Sequence, residues 1–116
     1  MPHPIAHFEI CVRNLESSTE FYKKLFGWEI SHIPEMNYGM IKTGGPVDGG
    51  LFQAQGEMKP YVSVYAEVDD IDAMLDKAEK LGAFIIARRT EIGQGFGSYG
   101  MFADADNNVI GLWSRK

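Results

Sequence analysis

The chain is poor in cysteine, in long apolar runs and in excess positive charge. Its single cysteine, Cys11, rules out an internal disulfide framework, and this fits a reducing compartment, so a cytoplasmic location is expected. No apolar run approaches the roughly 18 residues that a membrane helix needs. The opening Met1-Pro2-His3-Pro4 has neither the basic segment nor the apolar segment of a leader. With 11 Lys and Arg against 16 Asp and Glu, the net charge of −5 argues against unaided binding to nucleic acid or to an anionic membrane. A small molecule or another protein is the partner left. An apolar fraction of 45% is ordinary for a globular chain, and 116 residues suffice to bury one core, so a single domain spanning 1–116 is expected.

Residue alternation reads Ile5 to Val12 as a strand, with Phe8, Ile10 and Val12 on one face and His7, Glu9 and Cys11 on the other. Asn14 is a plausible N-cap for a helix from Leu15 to Phe26. Its apolar face carries Leu15, Phe21, Tyr22 and Leu25, and Gly27 stops it. Trp28 to Ile33, Tyr38 to Thr43 and Gly49 to Ala54 read as three strands between turn-forming segments. The same order then recurs. Tyr61 to Val68 is a strand, Ile71 to Leu81 a helix capped by Asp69 or Asp70, and Phe84 to Arg88, Tyr99 to Ala103 and Val109 to Ser114 are strands.

The recurrence is visible in the residues. One shift lays Val12 on Val68, Leu15 on Ile71 and Lys24-Leu25 on Lys80-Leu81. A slightly longer shift lays Tyr38-Gly39-Met40 on Tyr99-Gly100-Met101 and Gly50-Leu51-Phe52 on Gly111-Leu112-Trp113. Two β-α-β-β-β modules, about 5–56 and about 61–116, are expected, facing each other across a cavity.

The opening His7-Phe8-Glu9-Ile10, the helix ending Phe21-Tyr22-Lys23-Lys24-Leu25-Phe26-Gly27-Trp28 and the closing Asp104-Ala105-Asp106-Asn107-Asn108-Val109-Ile110-Gly111-Leu112-Trp113 give the whole chain a family likeness. It resembles the vicinal-oxygen-chelate superfamily, which includes glyoxalase I, bleomycin-resistance proteins, fosfomycin-resistance enzymes and extradiol dioxygenases. The resemblance implies an α+β fold in which two βαβββ modules form an eight-stranded, partly open barrel, and it implies a homodimer. It also implies a divalent metal held from the first and last strand of each module. Carried over through the repeat, those positions are His7, Ser63, Gly50 and Gly111, and only His7 is a good ligand. The expectation is therefore no metal and no other cofactor. A shifted site built from His7, Glu9 and Glu67 is the alternative.

Each remaining candidate has two readings. His7 is either an inward, hydrogen-bonded structural histidine or a polar contact and proton shuttle. Glu9 would be costly to bury unpaired, so it borders solvent or pairs with a neighbour such as His7. Tyr65 takes the place of Glu9 in the second module and offers a hydroxyl or simple packing. Phe52 and Trp113, beside the two glycines, are either walls of a flat slot for a planar ligand or filled core. Cys11 has no cationic neighbour in sequence and reads as packing. Gly95 to Gly100 matches a dinucleotide fingerprint but precedes a strand where the motif needs a helix, so Glu91 to Ser98 reads as a mobile loop. Asp104 to Asn108 lacks the glycine and glutamate of a calcium loop and reads as a turn.

The functional expectation is a glyoxalase- or bleomycin-resistance-like protein that binds a small, partly aromatic molecule. Its catalytic candidates are His7, Glu9 and Tyr65, and its ligand-binding candidates are Gly50, Phe52, Ser63, Glu67, Gly111 and Trp113. The alternatives are a glyoxalase-like lyase or isomerase using His7 and Glu9 for acid-base chemistry, and a structural or regulatory dimer.

Overall fold

A computed structural model describes residues 2–116. Its elements run β1 (Ile5–Val12), α1 (Leu15–Phe26), β2 (Glu29–Ile33), a 3-10 turn (Pro34–Met36), β3 (Tyr38–Lys42), β4 (Asp48–Gln53), β5 (Tyr61–Glu67), α2 (Ile71–Lys80), β6 (Phe84–Glu91), β7 (Ser98–Ala103) and β8 (Val109–Ser114). The α+β class and the doubled βαβββ order are those read from the sequence. Contacts divide the chain into two compact units, His7–Ser63 and residues 2–6 with Val64–Lys116. The first few residues thus pack with the later unit, and the Glu67 amide donates to the Pro4 carbonyl at 2.8 Å.

In His7–Ser63 the strand order is β2-β3-β4-β1, with β1 parallel to β4 and the other pairs antiparallel. The parallel pair needs a long connection, which α1, β2 and β3 provide. One face buries Val12, Ile41 and Leu51 with Phe8, Ile10, Tyr22, Trp28 and Ile30 packed against them. Helix α1 starts where the Asn14 side chain accepts from the Ser17 amide at 2.9 Å. It ends at Gly27, whose φ of 70° suits a residue without a side chain. Its inward row differs from the expected one: Phe21 and Leu25 are 58% and 56% exposed, while Thr19 is buried. Thr19 can lie inside because its hydroxyl donates to the Leu15 carbonyl at 2.7 Å and meets His32 Nε2 at 2.8 Å.

In the other unit the order is β5-β8-β7-β6, with β5 parallel to β8. Val68, Ile71, Leu75 and Leu112 form its core. Asp70 is the residue that caps α2, accepting from the Ala73 amide at 3.0 Å. Strand β6 extends beyond Arg88 to Glu91 through register shifts against β7. Asp104 accepts from the amides of Asp106 and Asn108, which makes the β7–β8 connection the expected turn. The repeat survives in the strand registers. Tyr38 faces Phe52 and Met40 faces Gly50 in one unit, as Tyr99 faces Trp113 and Met101 faces Gly111 in the other.

Candidate functional site

On β1 the residues that alternate away from the α1-packed core are His7, Glu9 and Cys11. Their partners on β4 are Asp48, Gly50 and Phe52, which place the same face of that strand beside them. Tyr38, opposite Phe52, leans diagonally along this face until its hydroxyl lies over Gly50, where a Cβ would collide with it. There the hydroxyl meets His7 Nε2 at 2.8 Å and is also hydrogen-bonded to Glu9. A phenol has one proton, and an ionised carboxylate only accepts. Tyr38 therefore donates to Glu9 in that state and accepts from the Nε2–H of His7.

This arrangement tunes both titratable partners. Burial pushes the Tyr38 phenol far above its ordinary range, and the Glu9 charge and hydrogen bond push it further, so the hydroxyl stays protonated. Burial lowers His7 below its usual 6.5, against an opposing pull from Asp48, so the imidazole is biased toward its neutral form. Cys11 is raised mainly by burial, and its Sγ lies 3.8 Å from Met58 Sδ. It is a packing thiol, as its sequence context suggested. Ser63, 3% exposed, is buried at the end of this unit.

The other unit holds the remaining candidates. Tyr65 faces Gly111 across β5 and β8, and its ring occupies the space a Cβ on Gly111 would need. Glu67 faces Trp113, accepts from Arg115 Nε at 3.1 Å and is so paired locally. The Arg115 guanidinium stands 5.6 Å from the Trp113 ring centroid. Trp113 Nε1 in turn donates to the Phe96 carbonyl at 2.8 Å. Of the segment Glu91 to Ser98, expected to be a mobile loop, Glu91 and Ser98 belong to β6 and β7, and 92–97 between them is tied down by this bond and by those from the Ile92 amide to the Gly97 carbonyl and from the Phe96 amide to the Gly93 carbonyl. Its glycines serve the turn itself, since Gly93, Gly95 and Gly97 all have positive φ.

Residues 5–44 match the bleomycin resistance protein-like N-terminal family model. The curated relatives include CFP32 of Mycobacterium bovis, named as a candidate glyoxylase, which is 27% identical over 86% of this chain and 41% of its own. Another is the anthracycline biosynthesis protein DnrV of Streptomyces peucetius, 25% identical over 98% of this chain and 48% of its own. The chain thus spans less than half the length of either. In fold it is similar to the Mn(II)-bound glyoxalase of Novosphingobium aromaticivorans, with a TM-score of 0.70 at 18% identity, covering 96% of this chain and 38% of that one. Over residues 5–44 the chain thus resembles bleomycin-resistance-like proteins in sequence, and over nearly its whole length it shares the fold of that glyoxalase.

The resemblance to the vicinal-oxygen-chelate superfamily is tested by whether the four ligand positions it implies could hold a metal. They do not fit one. Gly50 and Gly111 are covered by Tyr38 and Tyr65, so a ligating side chain at either place is sterically excluded, and Ser63 is buried. Among the described residues no group of three or more His, Cys, Asp or Glu side chains is placed to hold a metal ion.

The residue of this face that the sequence reading missed is Tyr38, whose hydroxyl meets His7. It was visible only as half of the repeated Tyr-Gly-Met triplet. The signal that could have found it is its place two positions from Met40, the residue facing Gly50, because a glycine invites a diagonal neighbour to lie over it.

Proposed function

We propose that this protein binds a small, partly aromatic molecule without a metal, on the sheet face that carries His7, Glu9, Tyr38 and Phe52. The observation that carries the reading is the Tyr38 hydroxyl, held by His7 and Glu9 over Gly50. At a position where related enzymes are expected to place a metal ligand, this chain offers a phenol, an imidazole and a carboxylate, with Phe52 alongside as an aromatic wall. The name of DnrV supports aromatic ligands, since anthracyclines are fused planar rings.

Calorimetry against a panel of planar aromatic metabolites, an anthracycline included, tests the proposal, with His7→Ala and Tyr38→Phe as controls. Binding that weakens in both variants supports it. Silence across the panel, or ligands indifferent to both substitutions, counts against it. Metal analysis of the dialysed protein tests the other half, and a stoichiometric divalent ion would overturn it.

A second reading, a glyoxalase-like lyase or isomerase, is favoured by the neutral bias of His7 and by its contact with Tyr38. Here His7 or Glu9 removes a proton beside a carbonyl, and Tyr38, rather than the Tyr65 expected from sequence, supplies the donor. Exchange of such a proton with deuterated solvent, lost in His7→Ala and Glu9→Gln, is its signature. The homodimer implied by the resemblance belongs to either reading and to a purely structural or regulatory one. It would have the exposed Phe21, Leu25 and Phe26 to cover, and sedimentation at varied concentration tests it.

A further inference from the structure

The two units differ most in what lies between helix and sheet. In His7–Ser63 that space is filled by a row of rings: Phe8 and Tyr22 lie with their centroids 5.7 and 5.6 Å from Trp28. In the other unit Ala78 stands where the repeat places Tyr22, half-buried on α2 where it lines a cleft beside the sheet. The shift that relates the helices would lay Trp28 on Phe84, but the strand registers put Ala83 in its place: Trp28 and Ala83 each directly precede the strand residue, Glu29 or Phe84, that pairs with the repeat-related Lys42 or Ala103. Two large rings are thus replaced by two methyl groups.

The sheet has not collapsed to close the gap. A cleft of about 360 Å³ remains, lined by Met74, Ala78, Ala83, Phe102 and Ile110 among others. At its rim Leu81 is 80% exposed, beside Lys77 and His3. Asp104 also borders the cleft, but its carboxylate is turned into its own turn by three hydrogen bonds from Asp106 and Asn108. Since about 150 Å³ of apolar cavity holds a benzene, this volume suits a fused pair of rings.

We propose that this cleft is a second binding site, for a flat fused-ring aromatic molecule bearing an acidic group. The rings take the place that Tyr22 and Trp28 fill in the sister unit. The acid faces Lys77 and His3. The site lies within Val64–Lys116 and the N-terminal segment, and it shares no residue with the His7–Tyr38 face.

The test uses the full chain, 2-naphthalenesulfonate as the acidic probe and 2-naphthol as its uncharged counterpart. In methyl-labelled protein the acidic probe is expected to shift the Met74 resonance and to leave Met40 and Met58 unmoved, with a Kd tighter than about 1 mM. Ala78→Tyr, which restores the missing ring, is expected to weaken binding about tenfold or more while raising the melting temperature by filling the cleft. Lys77→Gln is expected to weaken the acidic probe several-fold and to leave 2-naphthol unchanged. Absence of binding, shifts confined to Met40 or Met58, or unaltered affinity in Ala78→Tyr would each overturn the proposal. Should that variant fail to fold, the Met74 shift and the Lys77→Gln split decide it.

Discussion

Tyr38 covers Gly50 with its hydroxyl at the point where any Cβ would have to stand. The contact predicts that Gly50→Ala, ordinarily a mild change in an extended strand, destabilises this protein by about 1–3 kcal/mol through overpacking. Urea denaturation measures the loss. Adding Tyr38→Ala should recover part of it, so the two substitutions together cost less than their sum, a coupling that independent sites would not show.

Tyr38→Phe keeps the ring and removes only the oxygen that joins His7 to Glu9. Two polar partners lose their contact at once, and a stability loss of about 1–3 kcal/mol is expected from the same denaturation experiment. Spectrophotometric titration gives an independent readout. Burial and the Glu9 charge hold this phenol protonated far above its ordinary 10, so one tyrosine of the wild-type protein should ionise late, and the variant should lack that late phase.

His7 makes stability depend on acidity. Its folded pKa is lowered by burial beneath the 6.5 of an exposed histidine, so the unfolded chain takes up the proton first. Above about 6.5 both states are neutral at this residue and its contribution is complete. As the pH falls, the unfolded state binds more protons than the folded one, and stability drops until the folded imidazole is itself protonated. Stability measured from about pH 8 down to about pH 5 should therefore fall more steeply in the wild type than in His7→Gln. A parallel fall in the two would show that His7 is not responsible.

Trp113 holds segment 92–97 through its indole N–H to the Phe96 carbonyl. Trp113→Phe keeps an aromatic ring but loses that donor. The expected result is faster amide hydrogen exchange at Ile92 and Phe96, whose bonds close the same segment, with a global stability loss of about 1 kcal/mol. Unchanged exchange would mean that the glycine-rich turn holds itself.

Much of this molecule was settled by local chemistry and so could be read from the sequence. The alternation of β1, which sends Phe8, Ile10 and Val12 to one face and His7, Glu9 and Cys11 to the other, follows from the two-residue period of any extended chain. Asn14 and Gly27 bound α1 because capping involves only nearby backbone groups. The repeat fixed the paired glycines, and with them the absence of ligating side chains at Gly50 and Gly111.

Only the tertiary structure decided what takes the place of those missing side chains. Tyr38 reaches across β4 to lie between His7 and Glu9, and Tyr65 lies over Gly111, because a side chain leans into whatever space its neighbours on other strands leave open. For the same reason Phe21 and Leu25 face outward although their spacing suits a core, and the loss of two rings at Ala78 and Ala83 opens a cleft instead of drawing the sheet inward. Period and capping depend on the chain next to each residue. Filling and emptying of space depend on residues far away in sequence, and these meet only once the strands are in register.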